Sequence, residues 1–186
     1  MDTVDHDLRR SRSRLIAAFR EASLGATPQT LSVQRVIELA AATRAEFHTQ
    51  FGGIHDLAVA ALVEEIDVGS TIYFTARTEN QLTGVKISEN AMTHVLGFVD
   101  ERRSIYRETL AGISTFTGMI EESLTVHARD YLQAYQRSSG HPEVAARMFG
   151  SGVLGVLHWW LTEDPDISHE QLAREISRAV PPVFTA

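Results

Sequence analysis

The sequence has no cysteine, a single lysine and only five prolines among 186 residues. Without cysteine there is no disulfide framework, no thiol nucleophile and no Cys-ligated zinc or iron–sulfur centre, which fits a reducing compartment. Long apolar runs are missing as well. The longest, Val153 to Leu161, is interrupted by Gly155 and His158 and falls far short of the roughly 20 residues that a membrane-spanning helix needs. The first twenty residues carry three Asp and five Arg in place of the apolar core of a signal peptide. The expectation is a cytoplasmic protein with no membrane partner.

Enzyme signatures are also absent: no nucleophile elbow, no phosphate-cradling glycine loop and no His-Glu-x-x-His spacing. The acid pairs Glu64-Glu65 and Glu121-Glu122 sit next to each other on helical segments. Neighbouring side chains there point about 100° apart, so a solvated surface role is expected of them. His127 and Asp130 stand three apart without an identifiable third ligand, so no metal and no cofactor is expected.

What is present is helical periodicity, nearly throughout. Leu8, Leu15, Ala18, Phe19 and Ala22 form an amphipathic stripe that stops near Gly25. Ser32 can cap a short helix bearing Val36 and Ile37, and Thr43-Arg-Ala-Glu46 is a capping box opening another. Gly52-Gly53 breaks the chain before a long helix from Ile54, and Ser138-Ser-Gly-His-Pro142 is the clearest later stop and restart. Asp164-Pro165-Asp166 ends the next helix, and Ser168-x-x-Gln171 caps a last one, stopped by Pro181-Pro182. The expected fold class is all-α with about nine helices.

Charge is unevenly spread. Residues 1–52 hold seven arginines against six acids, net +1, whereas residues 53–186 hold ten basic groups against eighteen acidic ones, net −8. Arg9, Arg10, Arg12 and Arg14 stand together as RRSRSR. Such a run reads either as a solvated helix face or as an arm for a polyanion.

Two short helices joined by a tight turn, Ser32–Ala40 and Thr43–Phe51, have the spacing of a helix-turn-helix. With the arm before them and a long helix after Gly52-Gly53, the segment SVQRVIELAAATRAEFHTQFGGIHDL resembles the N-terminal signature of the TetR family of bacterial transcriptional regulators. Ala40, Thr43, Phe47, Phe51 and Leu57 fall where that family places its turn alanine, recognition-helix cap, two aromatic anchors and fourth-helix leucine. The chain departs from the pattern where the family usually has Gly (Ala41), Tyr (His48), His (Gln50) and Lys (Ile54). The turn position tends to need a left-handed backbone, where Ala costs about 1 kcal/mol relative to Gly.

The resemblance implies a DNA-binding head over residues 1–53 and a ligand-binding and dimerisation part over residues 54–186. It implies a ligand-responsive repressor that binds a palindromic operator in double-stranded DNA as a homodimer. The alternative is a small-molecule-binding or partner-interaction dimer of the same fold that has lost sequence-specific DNA binding. Arg44, Glu46, His48, Thr49 and Gln50 are the candidate outward residues of the reading helix, with Arg44 suited to guanine, Gln50 to adenine and Glu46 to the cytosine amino group. Ser32, Thr43, Arg12 and Arg14 are candidates for holding the DNA backbone.

For an effector pocket the candidates are Phe74, His94, Phe98, Tyr106, Phe116, Ile120, His127 and Tyr131, each of which also reads as ordinary packed core. The stretches FVDERRSIYRETL and FGSGVLGVLHWWLTEDPDISHEQLAREI look like the C-terminal regions of one TetR subgroup, whose last two helices form the dimer interface. Gly152, Val153, Gly155, Val156, Trp159, Trp160, Leu172 and Ile176 are the candidates for that interface, and closing the protomer's own core is their other reading.

Overall fold

The computed structural model describes residues 2–79, 82–112, 114–135, 141–181 and 184, with the side chains of 2–5, 112 and 114–116 outside the description. Among the described residues there are nine helices and no strand: α1 (Asp2–Ala22), α2 (Val33–Leu39), α3 (Arg44–Gln50), α4 (Ile54–Thr78), α5 (Gly84–Asp100), α6 (Arg103–Gly112), α7 (Ser114–Ala134), α8 (Pro142–Thr162) and α9 (His169–Ala179). None of them is long and apolar enough to cross a membrane.

Local chemistry fixes the starts and stops. The Ser32 hydroxyl accepts from the Arg35 N–H at 3.2 Å to open α2. Thr43 and Glu46 close a reciprocal capping box on α3, and Ser168 with Gln171 closes one on α9. Between α2 and α3 the Ala42 N–H returns to the Ile37 carbonyl at 3.0 Å, a bond that needs the intervening residue in the left-handed region. That residue is Ala41, at φ +46°.

Helix α4 is the axis of the molecule. Leu57 through Leu62 are all buried in succession, because α1, α5, α6 and α7 each pack against it. A helix covered on every side loses its amphipathic stripe. Leu15, Phe19, Phe47 and Phe51 of the first three helices join the same apolar core as Leu57, Val99, Tyr106, Trp160 and Leu172. Helices α8 and α9 close the far side, α8 on α7 and α9 on α5. Gly150 makes the first contact possible, since a Cβ there would strike the Thr125 hydroxyl of α7.

Candidate functional site

Helix α1 braces the two short helices from behind. Arg14 donates to the carbonyls of Ala40 (3.3 Å) and Ala41 (3.1 Å) and to the Glu46 carboxylate (3.2 Å). The Gln50 amide donates to the Leu8 carbonyl at 3.0 Å, and the Arg12 guanidinium lies 4.9 Å from the centre of the Phe51 ring. Phe47 and Phe51 are buried at 0% and 4% exposure, anchoring α3 to the core from its inner face. Arg44, His48 and Thr49 remain exposed on the outer one.

The nine residues expected at a DNA surface are thus brought together, but with altered parts. Arg44 and His48 face solvent, and Thr49 beside them is exposed with its hydroxyl donating to the Ala45 carbonyl at 2.8 Å. Glu46 and Gln50, expected as base readers, instead tie α3 to its own cap and to α1. The Thr43 backbone N–H donates to Glu46 at 2.6 Å, and that bond, ahead of the Thr43 hydroxyl and Arg14, holds the Glu46 carboxyl below its ordinary range. Ser32 and Thr43 are exposed and serve as caps, each hydroxyl accepting from a first-turn N–H, of Arg35 and of Glu46. Arg14 is a positioning residue, and Arg35, exposed on the first turn of α2, adds a cation that the sequence pattern did not single out.

Behind this head lies a polar junction that sequence reading missed. Arg102, only 6% exposed, donates to the Ser23 hydroxyl (3.0 Å) and to the carbonyls of Phe98 (3.1 Å) and Arg20 (2.9 Å). It locks the end of α1 to the α5–α6 corner. Glu65, expected on the surface, is 7% exposed and meets Arg20 and His94. Only the three-dimensional fold brings Glu65 to His94, 29 positions away, and Arg102 to Ser23 and Arg20, 79 and 82 positions away.

A pocket opens to solvent between α4, α5, α7 and α8, with a cavity volume of about 80 Å³ and about 630 Å³ of empty space once its mouth is counted. Of the expected pocket residues, Phe74, His127 and Tyr131 line it. His127 pairs with Asp67 at 2.7 Å rather than with Asp130. The others lie elsewhere. His94 faces Glu65, and Phe98 is covered by Arg102, whose guanidinium stands 4.1 Å from its ring. Tyr106 is fully buried and donates to the Ala58 carbonyl at 2.9 Å; burial pushes its hydroxyl pKa well up. Ile120 is sealed in the main core, and the Phe116 side chain lies outside the described residues. Tyr73, Phe149 and Phe184 line the cavity instead.

The interface candidates also divide. Trp160, Leu172 and Ile176 are 1%, 2% and 6% exposed within the one protomer. The Trp160 indole donates to the Ile167 carbonyl at 3.0 Å, and its ring carries the Arg103 guanidinium at 4.2 Å. Val153 is buried too, so these four close the protomer's core. Gly152, Gly155 and Trp159 are exposed and Val156 partly so, in line with Val144 and Met148.

This architecture matches solved regulators. The TetR-family repressor AlkX of Dietzia sp., implicated in n-alkane biodegradation, aligns with a TM-score of 0.66 at 13% identity, over 93% of this chain and 94% of AlkX. A TetR transcriptional regulator of Rhodococcus sp. RHA1 aligns at 0.65 and 14% identity, over 96% and 97%. The regulator FadR of Bacillus subtilis, in complex with stearoyl-CoA, aligns at 0.52 and 10% identity, over 90% and 96%. No protein-family profile and no curated protein matches the sequence. The fold is TetR-like.

Proposed function

We propose that this chain is a DNA-binding transcriptional regulator: a homodimeric, ligand-responsive repressor of a palindromic operator, with residues 1–53 as the reading head and residues 54–186 as the effector and dimer part. The observation that carries it is the outer face of α3. Arg44, His48 and Thr49 stand exposed there on a helix whose inner face, cap and last turn are each fixed, by Phe47, the Thr43–Glu46 box and Gln50. A pre-set helix with a guanidinium and an imidazole outward suits the major groove. Two such heads must stand about 34 Å apart to meet successive grooves, which calls for a dimer.

The cavity supplies the regulatory half. It touches α4, whose first turns carry the head through α1. An effector that fits it better in one arrangement of α4 shifts the population of heads competent for DNA, by no more than its differential affinity for the two arrangements. The stearoyl-CoA held by the Bacillus subtilis neighbour supports a body of this shape as a ligand holder.

The second reading, a dimer that binds ligand alone, draws on Glu46 and Gln50 being engaged inside the head. A salt titration of duplex binding separates the two. A regulator gives a steep negative slope and a specific component surviving competitor DNA, and Arg44→Ala removes about 1–3 kcal/mol of that component. A shallow slope without a specific component overturns the regulator reading.

A further inference from the structure

The chemistry of the cavity narrows what can occupy it, an argument that rests on reading it as the effector site. Aliphatic side chains such as Ile66, Met92 and Leu124 line it together with the rings of Phe74, Tyr131 and Phe149. Among the described residues that line it there is no lysine, arginine, aspartate or glutamate. An anion would lose its hydration without gaining a counter-charge.

A cation is opposed from the other side. The Arg77 guanidinium lies 5.6 Å from the centre of the Tyr135 ring, and that ring stacks on Phe74 with centroids 6.2 Å apart. The back of the aromatic group therefore already carries a positive charge. Neutral occupants remain.

The wall also carries the Ser70 and Ser88 hydroxyls, the His127 ring and the hydroxyls of Tyr73 and Tyr131. Among these the Tyr131 hydroxyl is the buried one without a partner among the described residues, and Tyr131 as a whole is 4% exposed. The neighbouring Tyr73 hydroxyl, by contrast, donates to the Phe184 carbonyl at 2.8 Å. A buried O–H without an acceptor is unfavourable, and an occupant that brings one relieves it. The geometry points to a neutral, largely apolar effector carrying one hydrogen-bond acceptor, a ketone, ether or hydroxyl oxygen, that meets the Tyr131 O–H in this cavity. Shape and dispersion against the rings supply the bulk of its affinity, and the single acceptor sets its orientation.

Four probes on one skeleton test this by calorimetric titration of the full chain at neutral pH: methyl naphthyl ketone, ethylnaphthalene, naphthoate and naphthylmethylammonium. The ketone binds tightest, the hydrocarbon about fivefold more weakly, and both ions more than about tenfold more weakly. Tyr131→Phe keeps the ring, leaves the hydrocarbon affinity in place and brings the ketone within about twofold of it. The proposal is overturned if an ion binds as tightly as the ketone, if none of the four binds, or if the gap survives in Tyr131→Phe. Duplex binding, measured on the same preparation without probe, is separate. Its failure overturns the regulator reading, whereas failed titrations beside intact duplex binding overturn the effector class alone.

Discussion

Glu65 holds Arg20 with one carboxylate oxygen, at 2.9 Å, and with the other lies 2.7 Å from His94, so one buried side chain of α4 joins α1 to α5. Arg20 also reaches Glu64 at 3.1 Å. Removing a partner from a buried charged group leaves the rest uncompensated, about 3–5 kcal/mol for a fully buried pair. Arg20 and His94 keep 35% and 37% of their side-chain exposure, so Glu65→Ala is expected to cost about 2 kcal/mol after that screening. Glu64→Ala, at 40% exposure, should cost under about 1 kcal/mol. Urea denaturation of the two variants measures the difference. Equal losses would mean that Glu65 is not the joint.

Ala41 sits at φ +46°, where an L side chain crowds the following carbonyl by about 1–2 kcal/mol. Glycine removes that strain and gives back part of it through the freer unfolded chain, about 0.4–1 kcal/mol. Ala41→Gly is therefore expected to raise stability by about 0.5–1 kcal/mol. The urea midpoint rises with an unchanged slope. A drop in stability would show that the Ala41 methyl makes a contact worth more than the strain.

Acid should loosen the molecule through three carboxylates. Glu143 is held below its ordinary 4.5 first by the hydrogen bond from Arg129, which joins α7 to α8 at 2.7 Å. Glu46 is lowered first by the Thr43 backbone, and Glu170 first by the Ser168 side chain. A carboxyl whose folded pKa is depressed contributes stability that is present above its unfolded value and lost as the pH falls through the folded one. The urea midpoint is therefore expected to fall from about pH 5 downward. Glu143→Gln lowers it above that range, and the gap to the parent closes once the parent carboxyl is protonated. A gap that stays constant with pH would remove the Arg129 pairing as its cause.

Local signals in the sequence carried the head because its starts, stops and anchors are encoded within four residues. The Thr43–Glu46 and Ser168–Gln171 boxes form as their spacing predicts, and the Phe47 and Phe51 rings face inward. Periodicity tells which residues are covered but not by what. Glu65 stands beside Glu64 in the sequence as one of two equal acids, yet only the fold puts Arg20 and His94 against it. His94 and His127 looked alike as pocket residues. They part because α5 presents His94 to Glu65 of α4 while α7 turns His127 to the cavity and Asp67. Glu46 and Gln50 looked like base readers because the helix pattern cannot show that Arg14 and Leu8 lie behind them.

The two tryptophans divide for the same reason, and their division yields the test of the dimer. Adjacent positions on α8 point about 100° apart, so Trp160 enters the core at 1% exposure while Trp159 stays 43% exposed. Around Trp159 the outward stripe of α8 continues through Gly155, Gly152, Met148 and Val144, the last two 66% and 57% exposed. A Cβ at Gly152 or Gly155 would meet nothing within 4 Å, so neither glycine is required by the protomer. They leave a flat apolar strip on which a second helix can lie close, and exposed apolar surface of this kind marks an interface. Gly155→Arg is expected to leave the unfolding free energy of the protomer unchanged or raised by up to about 1 kcal/mol and to shift sedimentation from dimer toward monomer. Trp160→Ala should instead destabilise the fold itself by about 3–5 kcal/mol. If Gly155→Arg sediments as the parent does, the strip is not the dimer surface.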